Sequence, residues 1–348
     1  MHPLIATCLL SALGLGTVLT FSSTHWFLAW MGLEVNTLAI LPLMAQKHHP
    51  RAVEAATKYF LIQATAAAMI MFASLTNAWL SGEWVISQFS HPVPSTIAIL
   101  ALALKVGLAP AHFWLPEVLQ GLDLTTGLIL STWQKLAPFA LIVQIAPSVN
   151  PALLITLGLA STLIGGWGGL NQTQLRKILA YSSIAHLGWM ILIVQFAPSI
   201  ALLALFLYIM MTSVAFLSLK MYDCTTLNDL ATSWAKSPAL AAMLTPVLLS
   251  LGGLPPLSGF MPKWLVLNEM VKQGLQLPAT IAALSALLSL LFYLRICYAM
   301  TLTSPPNVTV KSAPWRLQPS QDPLLLAPAS IIAVAFLPIT PTVMAWFT

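Results

Sequence analysis

Apolar segments long enough to cross a lipid bilayer recur from one end of this chain to the other. An α-helix needs about 20 predominantly apolar residues for each crossing. Hydrophobic residues make up 58% of the 348 residues and charged residues only 7%, whereas a soluble domain carries about 25% charged residues. No connection between the apolar segments is long enough to hold a soluble core. The sequence therefore predicts an all-α polytopic membrane protein without a soluble domain.

Hydropathy and turn residues divide the chain into about 11 predicted transmembrane helices. The ninth covers about 35 residues, which is too long for one straight span and predicts a broken helix. The longest predicted connections are 79–95, 221–237 and 301–323. The predicted spans are 3–21, 24–45, 54–78, 96–118, 123–146, 150–170, 174–196, 198–220, 238–272, 276–300 and 324–346.

Lysine and arginine are concentrated in the connections on the N-terminal side of the predicted spans. By the positive-inside rule this side faces the compartment of synthesis, and an odd number of spans places the C-terminus opposite. A span-length segment begins at residue 3, so we expect neither a cleaved signal peptide nor a transit peptide. The net charge of +5 is spread over these connections and predicts no nucleic-acid partner. The basic residues are Lys47, Arg51, Arg176, Lys177, Lys220, Lys236, Lys311 and Arg316.

A proline-containing motif occurs twice, 146 residues apart. The copies read Gly107-Leu108-Ala109-Pro110 with Pro116, and Gly253-Leu254-Pro255-Pro256 with Pro262. Proline breaks a helix, and in a bilayer the freed backbone groups must be satisfied by protein or by a water-filled cavity. Lys105 precedes the first motif by two residues, and Lys263 directly follows the second. Paired interruptions of this kind indicate a transport site, so we predict an ion or proton pathway.

The two predicted broken helices are the fourth and the ninth spans. Two units of five helices would place one broken helix fourth in each unit. An odd number of helices per unit forces the second unit to be inverted in the membrane, as in many transporters. We therefore predict a first inverted repeat at 1–146, a second at 150–300, and a connection with a C-terminal span at 301–348.

Four ionisable residues lie well inside predicted spans: Glu34, Lys105, Lys135 and Lys263. Each costs about 2.5–3.5 kcal/mol at a helix centre, so four unpaired charges would cost about 10 kcal/mol. Burial disfavours a charged lysine and a nearby carboxylate favours it. A lysine that gains and loses a carboxylate partner can therefore load and release a proton. The alternatives are snorkelling, a static ion pair, or local water at the two helix breaks.

Two histidines are further candidates. His112 falls inside the first proline motif and His186 lies in the middle of the seventh span. A histidine can relay protons near neutral pH, but either residue could instead be a packing residue hydrogen-bonded to a neighbour. The glycine-rich segment 165–169 predicts close helix packing.

Metal and redox sites are not indicated by the sequence. Cys8, Cys224 and Cys297 are scattered and form no C-x-x-C motif. The spacings of iron–sulfur and haem-attachment sites are absent, and the adjacent histidines at 48–49 make a poor metal site. We therefore predict no metal, cofactor or redox centre on this chain.

Three motifs span residues 104–118 (LKVGLAPAHFWLPEV), 180–189 (AYSSIAHLGW) and 254–264 (LPPLSGFMPKW), and the segment 30–36 (WMGLEVN) agrees with them. Together they resemble the antiporter-like membrane subunits of respiratory complex I, and the resemblance runs over essentially the whole chain. The resemblance implies proton-pumping modules that are related to cation/proton antiporters and built from two inverted five-helix repeats.

The resemblance also implies roles for individual residues. Glu34 corresponds to the carboxylate that pairs with the lysine of the first broken helix, Lys105. Lys135 corresponds to the bridging lysine, and Lys263 to the lysine of the second broken helix. Flavin, iron–sulfur clusters and ubiquinone would belong to partner subunits of the membrane assembly. The positive side would be the matrix of the mitochondrial inner membrane, and the C-terminus would lie in the intermembrane space.

The resulting hypothesis is a core membrane-arm subunit of a proton-translocating NADH:ubiquinone oxidoreductase, surrounded by lipid and by other membrane-arm subunits. Two alternatives remain open at this point. One is a cation/proton antiporter subunit, which sodium dependence without NADH would select. The other is a purely structural membrane subunit, in which removal of the buried charges would abolish assembly rather than coupling.

Overall fold

The computed structural model describes residues 2–46, 49–89, 91–302 and 326–347. Every regular element in these ranges is a helix, so the predicted all-helical fold is confirmed for the described residues. The predicted connection at 301–323 lies almost entirely outside them, together with three of the basic residues used to predict orientation, Lys47, Lys311 and Arg316.

The chain divides into two compact units, Met1–Gly158 and Leu159–Thr348. The helix α8 (Pro151–Gly168) contains the boundary. The first unit contains α1 (Pro3–Ser22), α2 (Trp26–Met44), α3 (Pro50–Ser81), α4 (Pro92–Val106), α5 (Trp114–Gly121), α6 (Leu124–Ser131) and α7 (Trp133–Ile145). The second contains α9 (Leu175–Ile193), α10 (Pro198–Tyr222), α11 (Leu227–Ala231), α12 (Ser233–Lys236), α13 (Pro238–Gly252), α14 (Phe260–Lys272), α15 (Gln276–Thr301), α16 (Leu326–Ala335) and α17 (Thr340–Phe347).

Seven helical segments among the described residues are long and apolar enough to cross a membrane, or eight if the bent pair α16–α17 forms one span. The other three of the 11 predicted spans correspond to the two interrupted segments α4–α5 and α13–α14, and to α9. Each half of an interrupted segment is too short to cross a bilayer alone. The count of 11 therefore stays a prediction.

In the first unit, a pair of glycines brings α1 and α2 into close contact. A Cβ atom at Gly16 would lie 2.8 Å from the Gly32 carbonyl oxygen, and a Cβ atom at Gly32 would lie 2.8 Å from the Gly16 carbonyl oxygen. Small residues allow helix backbones in a membrane to approach in this way. This contact fixes the position of α2, which carries Glu34 and Asn36.

In the second unit, α10 packs against α9, α13 and α16, and α15 packs against α13.

The predicted role of the glycine-rich segment 165–169 in close helix packing is confirmed at its described contacts. A Cβ atom at Gly165 would lie 2.6 Å from the Ala185 amide nitrogen, and one at Gly169 would lie 2.7 Å from Phe292 Cδ1. These positions need glycine because α9 and α15 pass too close for a side chain.

Candidate functional site

The first helix break follows α4. The helix ends at Val106, and Gly107 adopts φ +87°, a left-handed conformation that suits glycine. The next helix, α5, begins at Trp114. Lys105 lies in the last turn of α4, and its side chain is 5% exposed. The predicted lysine is therefore buried beside a helix end.

Neutral side chains donate hydrogen bonds to the carbonyl groups at the end of α4, which have no donor within the helix. Gln63 Nε2, on α3, donates to the Lys105 carbonyl oxygen at 3.2 Å. Trp114 Nε1, across the break, donates to the Leu104 carbonyl oxygen at 3.1 Å. The last carbonyls of a helix lack donors in their own helix, and lipid offers none. Because neutral donors fill this role, the ammonium group of Lys105 is not needed there.

The Lys105 ammonium faces a cavity. Within the described part of the chain, Lys105 Nζ has no hydrogen-bond partner. The cavity has a volume of about 20 Å³, enough for about one water molecule, and we call it the first-break cavity. Its polar lining side chains are Asn36, Thr37, Tyr59, Gln63, Lys105, Trp114, Gln134 and Lys135.

Lys135, on α7, lines the same cavity as Lys105 and is 2% exposed. The Asn36 side chain also lines it, and its Oδ1, which lies next to Gly16 of α1, accepts no hydrogen bond from any described residue. Burying a polar group without a partner is costly, so Lys105 Nζ offers a hydrogen-bond donor to any water that enters the cavity. The structure thus brings together two of the four charged residues predicted from the sequence.

Glu34 is half-buried on α2 and stands next to the first-break cavity rather than in its wall. Its Oε2 accepts a hydrogen bond from Thr37 Oγ1 at 3.2 Å, and Thr37 does line the cavity. The carboxylate interacts electrostatically with Lys105. No ion pair within 4.0 Å joins the two among the described residues, where the ion pairs present involve Lys58 and Lys272. Glu34 and Lys105 are therefore separated partners in this conformation.

His112 lies in the first break but does not line the first-break cavity as defined by the described residues. It is buried, its Nδ1 lies 3.2 Å from the Pro110 carbonyl oxygen, and its ring centroid is 4.3 Å from that of Phe113. These contacts lie within the break itself.

The second helix break follows α13. Gly253 adopts φ +82°, and α14 begins at Phe260. Lys263, in the first turn of α14, is 9% exposed and reaches back across the break. Its Nζ donates to the carbonyl oxygen of Gly252, the last residue of α13, at 2.8 Å. A cation is favoured at the C-terminal end of a helix by the helix dipole, so this lysine caps the broken helix directly.

Lys263 also lines a narrow cavity that is too small to hold a water molecule in this conformation, and we call it the second-break cavity. Its other polar or aromatic lining side chains are Ser182, His186, Trp189, Ser289 and Tyr293. The structure thus brings Lys263 together with His186, whose ring centroid is 5.6 Å from that of Tyr208. Tyr293 is fully buried. Hydroxyl groups and an imidazole therefore surround the second lysine, and no carboxylate lines this cavity among the described residues.

The neutral polar side chains of both cavities were not predicted from the sequence. In the first, Asn36, Gln63 and Gln134 contribute amides, and Gln134 Nε2 lies 3.5 Å from the Asn36 carbonyl oxygen. Amides in apolar spans are an available signal, and Gln134 is adjacent to Lys135. In the second, Ser182 and Tyr293 carry no comparable signal because serine and tyrosine are common in membrane helices. No group of three metal-ligating side chains occurs among the described residues.

Two family descriptions match this chain. The family "NADH:quinone oxidoreductase/Mrp antiporter, TM" matches residues 23–289, and the family "NADH dehydrogenase subunit 2 C-terminus" matches residues 290–344. The first covers most of the chain, including both helix breaks and all four predicted charged residues.

Individual proteins are similar over nearly the whole length. The chain is 70% identical to NADH-ubiquinone oxidoreductase chain 2 of Salmo salar over 348 residues, which cover 100% of both proteins. It is 29% identical to a chain in the structure of respiratory complex I from Thermus thermophilus with bound Aureothin, with a TM-score of 0.84, covering 96% of this chain and 77% of that one. A chain of the Mrp complex from Dietzia sp. DQ12-45-1b shares the fold, with 18% identity, a TM-score of 0.76, and coverage of 95% and 74%.

Proposed function

We infer the function of this chain from one premise: it belongs to the family of membrane subunits of NADH:quinone oxidoreductases and Mrp antiporters. The resemblance to antiporter-like subunits of respiratory complex I is confirmed by relatives that are 70% identical over the full chain. The chain is a membrane subunit of NADH:ubiquinone oxidoreductase, partners with other subunits of that complex, and takes part in its proton translocation.

The observation that carries the mechanism is the first-break cavity. It is lined by a buried lysine whose ammonium meets no acceptor in the described chain and by a second buried lysine, and a carboxylate beside the cavity lies in electrostatic range of the first lysine. A static structural charge would be expected to have a fixed partner, because an unpaired buried charge is expensive. We therefore assign proton transfer to this cavity.

In this mechanism Glu34 and Lys105 form a switchable pair. When the carboxylate approaches Lys105, it favours the charged lysine, and the lysine takes up a proton. When the two separate, burial disfavours the ammonium, and Lys105 releases its proton into the first-break cavity. Lys135 accepts that proton and passes it on. Asn36 and Gln134 would orient water for the transfer.

Lys263 serves a second proton route, which runs through the second-break cavity and which we call the second half-channel. Its proton is held at the Gly252 carbonyl, and release would require this hydrogen bond to break. His186 and the hydroxyl groups of Ser182 and Tyr293 line the space that a released proton would enter. This half-channel exchanges protons with the opposite side of the membrane or with a neighbouring subunit.

The architecture we propose contains 11 spans in two inverted five-helix repeats, at 1–146 and 150–300, followed by 301–348. With the basic connections on the matrix side, the N-terminus would lie in the mitochondrial matrix and the C-terminus in the intermembrane space. Lipid surrounds the subunit. Flavin, iron–sulfur clusters and ubiquinone are bound by partner subunits, so the redox energy reaches this chain through charge and water rearrangement along the assembly.

Replacing Lys105 with Ala in the assembled complex tests this proposal. Reconstituted in vesicles, the variant complex should oxidise NADH with fewer protons moved per electron than the unmodified complex. Lys58→Ala is a matched control, because Lys58 is 42% exposed and pairs with Glu54 and Glu117 at the surface. A full proton-to-electron ratio in Lys105→Ala would remove Lys105 from the pathway.

A cation/proton antiporter subunit is the second candidate, favoured by the family description that includes Mrp antiporters and by the fold shared with an Mrp complex. It requires sodium-dependent proton movement in vesicles without NADH. The same vesicles test it, because addition of a sodium gradient without NADH should produce no proton movement if the oxidoreductase function is right. The remaining alternative is a purely structural role. In that case Lys105→Ala should reduce the amount of assembled complex and leave the proton-to-electron ratio of the complex that does assemble unchanged.

A further inference from the structure

Two serines flank the second helix break and share one acceptor. Ser250 lies in the last turn of α13, and Ser258 lies in the break two residues before α14. Ser250 Oγ donates to the Ala333 carbonyl oxygen at 2.7 Å, and Ser258 Oγ donates to the same oxygen. The two hydroxyl oxygens are 3.1 Å apart, and both side chains are fully buried. A carbonyl oxygen has two lone pairs, so it can accept both hydrogen bonds at once.

Ala333 belongs to the last turn of α16, in the C-terminal part of the chain. The chain bends by 67° between α16 and the helical segment that follows. The last carbonyls of a helix lack donors in their own helix, and a membrane offers no water to replace them. The serine hydroxyls supply the donors that α16 lacks at its end.

Two further close contacts surround the serine pair. A Cβ atom at Gly259 would overlap the Ser250 carbonyl. The two edges of the break, which are the end of α13 and the residues just before α14, therefore touch. Ser250 Oγ also lies 3.0 Å from Met211 Sδ on α10. The end of α16 therefore packs against α10 and is hydrogen-bonded to both edges of the break.

This attachment lies beside the acceptor of Lys263. Gly252, whose carbonyl accepts from Lys263 Nζ at 2.8 Å, is two residues after Ser250, and Lys263 is five residues after Ser258. Each edge of the break thus carries one serine, and the lysine on one edge is bonded to a carbonyl on the other. A displacement of either edge changes the distance between Lys263 Nζ and the Gly252 oxygen.

We propose that Ser250 and Ser258 are positioning residues for proton transfer at Lys263, because they fasten the end of the C-terminal helix α16 into the second break and so set the position of the Gly252 carbonyl. This inference rests on the proposed role of Lys263. It implies that a movement of α16 also changes the second-break cavity, because both edges of the break are hydrogen-bonded to α16 and shift with it.

The double variant Ser250→Ala with Ser258→Ala, in the assembled complex, tests the proposal. Both donors to Ala333 are lost, and the proton-to-electron ratio in vesicles should fall, with a shifted pH profile of NADH-driven proton movement. Ser330→Ala is the matched control, because Ser330 is a buried serine on α16 whose hydroxyl, among the described residues, donates within its own helix, to the Ala327 carbonyl at 2.7 Å. Ser330→Ala should keep the full ratio.

Single variants and a conservative variant keep the test decisive. If the double variant does not assemble, Ser258→Ala leaves one donor on Ala333 and should lower the ratio partly, whereas Ser258→Thr keeps a hydroxyl and should restore it. A full ratio in the assembled double variant, or in Ser258→Ala when the double variant is absent, overturns the proposal. An equal fall in Ser330→Ala also overturns it.

A Lys263→Ala complex separates this inference from the proposed function. If Lys263→Ala keeps the full ratio, the role of Lys263 itself is wrong. If Lys263→Ala lowers the ratio and the serine variants do not, only the positioning role of the serines is wrong.

Discussion

At the first helix break, the carbonyls at the end of α4 accept hydrogen bonds from Gln63 and Trp114, and the nearby lysine points into a cavity. At the second break, the carbonyl at the end of α13 accepts its hydrogen bond from the lysine itself. Both lysines lie at the C-terminal end of a helix, where the helix dipole favours a cation. Only the second lysine has a protein acceptor among the described residues.

This difference follows from where each lysine stands relative to its break. Lys105 is on the helix that ends at the break, so its side chain leaves the helix sideways, toward α7 and the first-break cavity. Lys263 is on the helix that begins after the break, so its side chain can reach back to the preceding helix end. On the proposed mechanism, Lys105 can exchange a proton without breaking a hydrogen bond, because neutral side chains cap the helix end beside it. Lys263 is itself the cap, so it must break its hydrogen bond to Gly252 first.

The largest effect is expected from Lys105→Arg. Arginine keeps the positive charge but does not lose its proton in proteins, so it cannot replace a lysine that loads and releases one. We expect the proton-to-electron ratio in vesicles to fall as far as in Lys105→Ala. A ratio fully restored by arginine would mean that position 105 needs only a static charge.

Lys263→Arg sharpens the comparison at the second break. Arginine can still donate to the Gly252 carbonyl, so we expect the amount of assembled complex to stay unchanged while the proton-to-electron ratio falls. A normal ratio would mean that Lys263 acts only as a cap, and the two breaks would then differ in function as well as in geometry. Lys272→Arg, at the exposed end of α14 in an ion pair with Glu269, serves as the control.

Glu34→Gln should have a smaller effect than either lysine variant. Glutamine keeps an acceptor for the Thr37 hydroxyl but removes the negative charge that favours charged Lys105, so proton loading becomes less favourable while the lysine remains. We expect a partial loss of NADH-driven proton movement, measured as initial rate in vesicles. The control is Glu54→Gln, whose carboxylate is exposed and pairs with Lys58 at 2.7 Å; an equal loss in both variants would argue against a specific Glu34–Lys105 pair.

Replacing each of the two left-handed glycines with alanine separates the effect of backbone strain from the effect of displacing Lys263. Gly107→Ala and Gly253→Ala should each destabilise the subunit by about 1–2 kcal/mol, because L-residues disfavour this conformation. At Gly253 the new Cβ atom would also lie 2.8 Å from Lys263 Nζ, whereas at Gly107 its closest neighbour would be Trp114 Cζ2 at 3.4 Å. Thermal stability should therefore fall in both variants, and the proton-to-electron ratio should fall further in Gly253→Ala. Equal ratios would show that Lys263 tolerates displacement.

The smallest effects are expected at the histidines. His186 lines the second-break cavity with Lys263, whereas His112 contacts Pro110 and Phe113 outside the first-break cavity. We expect His186→Phe to slow NADH-driven proton movement slightly and His112→Phe to leave its rate nearly unchanged. The reverse order would indicate that protons enter through the first break itself.

Local chemistry made several features predictable. Helical spans follow from apolar composition, and the two breaks follow from glycine and proline, whose conformational limits do not depend on distant residues. The structure ends α4 at Val106 and α13 at Gly252, next to the repeated motifs. The sequence also predicted that the three lysines lie inside spans, but it left snorkelling open, and only the structure shows that all three are buried.

The sequence by itself determined that this chain is a helical membrane protein, where its helices are interrupted, and which charged residues its spans contain. Only the tertiary structure decided what each freed carbonyl and each lysine meets. Gln63 reaches Lys105 across 42 residues of chain, and Ser250 reaches Ala333 across 83. Hydrogen-bond partners so far apart in sequence are selected by how helices pack, and the packing depends on close contacts such as Gly16 with Gly32 that no local pattern specifies.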